Sequence, residues 1–177
     1  FMLGVTKYKN LPEDVGDEIL LAGRSNAGKS SALNALTGNS KLARISKTPG
    51  RTTEINFFKV NDSLKLVDLP GYGYAKAPKK DIQSWTSLTI KYLKGRPSLR
   101  TVCLLIDSRR GVGDYDELIM KELDSAAVSW AVILTKSDKL TEEEKIVVLI
   151  DDDVAMHDLI RRTLSKIGFF LFFVLAI

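Results

Sequence analysis

An α/β fold, with a mainly parallel central sheet and helices on both faces, is what this sequence predicts. Three observations carry that expectation. Short apolar runs alternate with amphipathic stretches in the order β, α, β, β, α, β, α, β, the pattern of a sheet covered on both sides. The apolar run Ile19-Leu20-Leu21-Ala22 passes straight into a glycine-bounded loop and then into a helical pattern. With 45% hydrophobic and 27% charged residues, the composition excludes a disordered or collagen-like chain.

The elements follow in order. Strands are expected at Asp17 to Ala22, Glu54 to Val60, Leu64 to Asp68, Thr101 to Asp107 and Trp130 to Leu134, each short, apolar and bounded by Gly, Asp or Pro. Asn61-Asp62-Ser63 supplies the tight turn between the second and third strands. Helices are expected at Lys29 to Leu36 with Gly38 beyond it, at Lys80 to Lys94 stopped by Gly95, and at Asp114 to Leu123. In the second helix Ile82, Trp85, Leu88, Thr89 and Tyr92 recur at helical spacing and read as one buried stripe rather than a stacking platform.

At 177 residues the chain suits one domain with a sizeable core. Residues 1–140 read as its core, and 141–177 as an atypical C-terminal segment that completes or packs on it. The lone cysteine, Cys103, sits in an apolar run, which rules out a disulfide framework or a cysteine zinc site and marks it as core packing. No signal-peptide pattern opens the chain, and no apolar run approaches the roughly 20 residues that span a bilayer. A cytoplasmic monomer without membrane or DNA partners is therefore expected. A net charge of +4 and a pI near 9.1 suit contact with an anionic surface such as RNA.

The loop after the first strand is Gly23-Arg24-Ser25-Asn26-Ala27-Gly28-Lys29-Ser30, followed by Ser31. Its glycines let the backbone wrap tightly around a pyrophosphate, so that N–H groups and the helix N-terminus converge on it. Lys29 brings a mobile positive charge for the β and γ oxygens, and Ser30 offers Mg²⁺ a hard hydroxyl ligand. A second box, Asp68-Leu69-Pro70-Gly71, closes the strand that follows the hairpin. There Asp68 suits Mg²⁺ through a water, and the Gly71 N–H suits a γ-phosphate.

A third box, Thr135-Lys136-Ser137-Asp138, opens at the C-terminal edge of the last strand, the edge where open α/β sheets bind ligands. The Asp138 carboxylate accepts hydrogen bonds only, so it matches the N1–H and exocyclic amine of guanine, a donor pair adenine lacks. A buried carboxylate left unpaired costs several kcal/mol, which disfavours adenine by orders of magnitude. Lys136 is expected to lie along the base. The second and third boxes alone are ordinary turn or surface composition; the ordered set of three is what points to GTP and GDP.

With the boxes placed, residues from about Leu3 to Leu140 resemble the bacterial EngB (YihA/YsxC) family of ribosome-biogenesis GTPases, in the TrmE-Era-like group. The specific elements are the Gly23 to Ser31 loop, Ser46-Lys47-Thr48-Pro49-Gly50-Arg51-Thr52-Thr53 with Asn56-Phe57-Phe58, and Asp68 to Ala75. Arg96-Pro97-Ser98-Leu99-Arg100 and Leu105-Ile106-Asp107-Ser108-Arg109 extend the likeness to about four-fifths of the chain. The resemblance implies a Ras-like P-loop GTPase that works as a switch on a pre-50S ribosomal particle or its rRNA. It implies that Thr52, in a nucleotide-binding segment Pro49-Gly50-Arg51-Thr52, joins Ser30 and Asp68 at Mg²⁺, with Thr48 and Thr53 as lesser hydroxyls. Lys29, Thr52 and Gly71 are then the groups that serve hydrolysis.

Tyr72 stands where Ras-type enzymes carry a glutamine, so hydrolysis is expected to be slow. An asparagine at the place of Asn26 helps hold K⁺ in related GTPases, which implies the same for Asn26. The competing expectation is a guanine-nucleotide-binding module with little hydrolysis that serves chiefly to bind a partner. His157, the only histidine, falls in a later helical pattern and reads as a surface residue.

Beyond Leu140 the fifth guanine-contact box is not recognisable, and Ser165-Lys166 is a poor substitute. Residues 146–164 instead weakly resemble the first strand and helix of a response-regulator receiver domain, with Asp151 to Asp153 as a solvated helix N-cap cluster. The apolar run Phe169 to Ile177 either supplies a sixth strand to the sheet or stands as an aggregation-prone segment.

Overall fold

The computed structural model describes residues 1–39, 42, 54–72, 79–139 and 170–171. Its strands are β1 (Leu3–Val5), β2 (Asp17–Gly23), β3 (Ile55–Lys59), β4 (Leu64–Asp68), β5 (Leu99–Asp107), β6 (Ser129–Thr135) and β7 (Phe170–Leu171). The helices are α1 (Lys29–Leu36), α2 (Lys79–Gly95) and α3 (Asp114–Ser125). One sheet runs in the order β1-β3-β4-β2-β5-β6-β7. Its centre, β4-β2-β5-β6, is parallel, and both edges are antiparallel.

Alternation along the central strands builds two cores, because successive side chains point to opposite faces. On one face Leu20 and Ala22 of β2 and Val102, Leu104 and Ile106 of β5 pack with Leu88, Tyr92 and Leu93 of α2 and Ile119 and Leu123 of α3. On the other, Leu21, Cys103 and Leu105 pack with Ala32 and Leu33 of α1. The expected buried stripe of α2 holds at Leu88, Thr89 and Tyr92, all buried; the side chains of Ile82 and Trp85 lie outside the described residues. Cys103 is core, as expected, and burial pushes its thiol up to about 12.

The hairpin turn forms as its residues demand. Asn61 Oδ1 accepts the N–H of Ser63 at 2.9 Å and of Leu64 at 2.8 Å, a side chain standing in for backbone. Two strands escape the periodicity argument. β1 is three residues long and contains a glycine, too short to show alternation, and it is defined by its pairing of Leu3 with Phe57. β7 comes from the closing apolar run, where Phe170 and Leu171 pair antiparallel with Leu134 and Ile133. β5 starts at Leu99 rather than Thr101, since the ladder reaches back to Glu18, whose N–H donates to Ser98 O at 2.7 Å.

A buried ionic cluster sits at the end of β2 away from the phosphate loop. The wholly buried Glu18 accepts from Arg96 Nη2 at 2.6 Å, Arg96 Nε at 3.0 Å and the Tyr92 hydroxyl at 2.7 Å. Lys65 Nζ lies 3.4 Å from the same carboxylate. Burial alone would raise the Glu18 carboxyl, but the hydrogen bonds from Arg96 and Tyr92 hold it below the usual range. Arg96 also donates to Pro12 O at 2.9 Å and Glu13 O at 3.2 Å, tying the entry of β2 to the end of α2. Removing one partner of such a cluster leaves a buried charge uncompensated, so Arg96→Ala is expected to cost about 3–5 kcal/mol. Urea unfolding checks this: a midpoint within error of the wild-type value would contradict it.

Candidate active site

The three described boxes lie at the C-terminal edge of the parallel strands, where β2, β4, β5 and β6 end side by side. The phosphate loop leaves β2 at Gly23, whose φ of 147° and contact with Leu105 O leave no place for a side chain. Further on, Asn26 (φ 65°) and Gly28 (φ 98°) are left-handed, a backbone that turns consecutive N–H groups into one concavity. Gly28 then caps α1, with Ala32 N–H bonded to Gly28 O at 2.9 Å. The first-turn N–H groups of Lys29, Ser30 and Ser31 precede that bond and point out of the helix end.

Lys29 is buried at 7% exposure, and its Nζ donates to Gly23 O at 2.8 Å and Arg24 O at 3.2 Å. Burial depresses its pKa, and the nearby Asp68 and Asp116 carboxylates oppose that shift. Asp68, at the end of β4, is pushed up to about 6 by burial, with Lys29 pulling the other way. Its Oδ1 is a buried oxygen with no hydrogen-bond partner. Such an orphaned carboxylate oxygen is a hard donor that fits Mg²⁺. No group of three or more His, Cys, Asp or Glu suited to a metal occurs among the described residues.

The Asp-x-x-Gly turn is pressed against the loop. A Cβ on Gly71 would fall 2.7 Å from Ser25 Cα and 3.1 Å from Lys29 Nζ, so only glycine fits. Tyr72 O accepts Ser25 N–H at 2.9 Å, and Arg24 and Tyr72 form a parallel bridge. Ala27, Leu69 and Pro70 are buried, and Ala27 and Leu69 belong to opposite cores; these residues seat the two turns from below.

The third box reaches the same loop through Lys136, whose Nζ donates to Asn26 O and to Asp107 Oδ2, both at 2.7 Å. Asp107 ends β5 and also accepts from Arg109 Nε at 2.9 Å and Nη2 at 2.7 Å. The Arg109 hydrogen bond, chiefly, holds the Asp107 carboxyl well below the usual range. Thr135 is wholly buried and donates to Ile106 O at 3.3 Å. Asp138 departs from the expectation of a buried carboxylate. Its side chain is 57% exposed and 3.0 Å from Lys139 Nζ, so a bound base would have to desolvate it.

Residues Gly23 to Ser31, Asp68 to Gly71 and Thr135 to Asp138 are thus brought to one edge. Pro49, Gly50, Arg51 and Thr52, with Thr48 and Thr53, lie outside the described residues, as do His157, Asp151 to Asp153 and Ser165-Lys166. Sequence reasoning gave no role to Asp116, which binds the Tyr72 hydroxyl at 2.7 Å, because it reads as one more acid in a helix's first turn. Asp107 entered only as part of the resemblance.

Residues 18–136 match the family model described as a 50S ribosome-binding GTPase. The probable GTP-binding protein EngB of Hyphomonas neptunium is 51% identical over 96% of this chain and 81% of its own length. The chain belongs to the EngB family of GTP-binding proteins, which are P-loop GTPases. An alignment over 96% of the chain runs past residue 140, so the likeness extends further than the four-fifths legible from motifs alone. Among solved structures, a probable GTP-binding protein EngB shares the fold at TM-score 0.58, with 22% identity over 84% of this chain and 79% of that one. NFeoB from S. thermophilus, solved with GDP, AlF4⁻ and K⁺, aligns at TM-score 0.55 and 20% identity over 85% of this chain and 60% of its own. No helix among the described residues is long and apolar enough to cross a membrane.

Asp68 makes stability depend on pH in a definite direction. Its folded pKa is raised to about 6, so the folded protein keeps a proton that the unfolded chain has already released. Stability is therefore expected to fall as pH rises from the ordinary carboxylate value to about 6, by about 3 kcal/mol in all, and then to level off. Urea unfolding at several pH values, without nucleotide or divalent cation, should show Asp68→Asn flattening that slope; an unaltered slope would assign it elsewhere.

Proposed function

We propose that this chain binds GTP, hydrolyses it slowly to GDP and phosphate, and acts as a switch in assembly of the large ribosomal subunit. The observation that carries the hydrolytic reading is the packing of Gly71 and Asp68 around the Lys29 ammonium. In that reading Gly23, Arg24, Ser25, Asn26, Ala27, Gly28, Lys29, Ser30 and Ser31 cradle the phosphates. Lys29 and the Gly28 and Gly71 N–H groups donate to oxygens whose charge grows in the transition state. Ser30, Thr52 and, through a water, Asp68 would hold Mg²⁺, which when bound neutralises phosphate charge. In a switch of this kind the γ-phosphate would be read through Thr52 and Gly71 and the signal lost on hydrolysis, with Pro49, Gly50 and Arg51 as further nucleotide-binding residues.

Slow turnover follows from Tyr72. It is buried, with its hydroxyl committed to Asp116, and it has no amide to orient water. Asn26 is exposed on the left-handed rim of the loop and would contribute to a K⁺ site. The K⁺ in the NFeoB structure supports that assignment. The ribosomal role is supported by the description of the matching family and by a net charge of +4, which suits rRNA.

Guanine selectivity is assigned to Asp138, with Thr135, Lys136 and Ser137 shaping its turn. Calorimetric titration is expected to find tight binding of GDP and GTP and none of ATP. Asp138→Ala should weaken guanine nucleotides by roughly two orders of magnitude, the worth of two hydrogen bonds to a carboxylate. Comparable affinity for ATP would sink the reading. GTP turnover should be faster in K⁺ than in Na⁺ and should change when large ribosomal subunits are added. Equal rates in the two salts would remove the K⁺ role of Asn26, and indifference to subunits would remove the ribosomal one.

A further inference from the structure

Tyr72 bridges two elements. Its carbonyl accepts Ser25 N–H at 2.9 Å, clamping it to the phosphate loop, while its hydroxyl donates to Asp116 Oδ1 at 2.7 Å in the first turn of α3. Asp116 is wholly buried, and its other oxygen accepts the N–H of Gly113, the residue that caps α3, at 2.9 Å. Both carboxylate oxygens are thereby held by donors that the fold fixes. Gly71, one residue before Tyr72, lies close against the loop, where an added Cβ would fall 2.7 Å from Ser25 Cα.

We infer that the Tyr72–Asp116 hydrogen bond is a positioning device for the GTP state, anchoring the Asp68–Gly71 turn to α3 so that the Gly71 N–H is already aimed at the third phosphate. The inference rests on the reading of the site as a GTP site. A donor ordered before the ligand arrives takes nothing from the binding free energy, whereas one that is competent only part of the time weakens apparent affinity by that fraction. GDP does not call on Gly71, so loosening the anchor penalises GTP selectively. Tyr72 and Asp116 touch no reacting atom and act through Gly71.

The test compares affinities for GDP and for a non-hydrolysable GTP analogue in Tyr72→Phe, Asp116→Ala, the double variant and Asp116→Asn. Asparagine can keep the link with its polarity reversed, accepting Gly113 N–H and donating its amide to the Tyr72 oxygen. Tyr72→Phe and Asp116→Ala are each expected to weaken the GTP analogue about tenfold, the worth of a hydrogen bond to a charged group, with GDP affinity within about twofold. The double variant should be no worse than either single one, and Asp116→Asn should stay near wild type. Equal losses for both nucleotides, no loss for either, additive losses in the double variant, or Asp116→Asn as defective as Asp116→Ala would each overturn the positioning role. A wild-type protein that binds neither nucleotide would instead overturn the reading of the site.

Discussion

The backbone of Gly71 lies so close to the backbone of Ser25 that a single added carbon would collide with it. The rest of the site depends on that approach. It sets the Asp-x-x-Gly turn beside the phosphate loop, so that Asp68, Lys29 and the loop's N–H groups face one small volume. Two fixed supports maintain it: the Ser25 to Tyr72 backbone hydrogen bond on one side and the tyrosine's bond to Asp116 on the other. The parallel strands beneath are wholly buried through Leu20, Leu21, Val67, Val102 and Leu104, so the turns stand on a close-packed base with little room to shift.

Charge is distributed by the same logic at the two ends of the sheet. At the N-terminal end of β2, Glu18 is fully partnered by Arg96, Tyr92 and Lys65, and the cluster has the character of a structural clamp. At the C-terminal end Asp68 keeps a buried oxygen without a partner, and Lys29 turns its ammonium onto backbone carbonyls. Buried polar groups are normally satisfied, so the unpartnered Asp68 oxygen is one that a cation or charged ligand would complete. Lys136 joins Asn26 O to Asp107, which lets the Thr135–Asp138 turn and the Gly23–Ser30 loop hold a common geometry.

Much of this architecture was legible in the chain itself. The continuous apolar runs Ile19 to Ala22 and Val102 to Ile106 announced strands of a sheet covered on both faces. Asn61 marked its turn, and the spacing of Gly23, Gly28, Lys29 and Ser30 marked a phosphate loop. Less legible were features with no local period. The three-residue β1 acquires its identity from pairing with β3, whereas the strand expected of the closing apolar run is met at Phe170 and Leu171 beside β6. The Glu18–Arg96 contact spans the chain from β2 to the end of α2, and nothing in either residue's neighbourhood declares the other.

The sequence by itself determined the chemistry at the sheet's edge: which residues offer N–H groups, a cation, a hydroxyl or a carboxylate, and in what order along the chain. Those properties are local, carried by glycine's backbone freedom and by side-chain functional groups. Only the tertiary structure decided which of them meet. That Gly71 abuts Ser25, that Tyr72 turns to Asp116, and that Asp138 stands exposed are outcomes of packing between distant segments. Side-chain direction and desolvation are set by neighbours in space, and these the order of residues does not name.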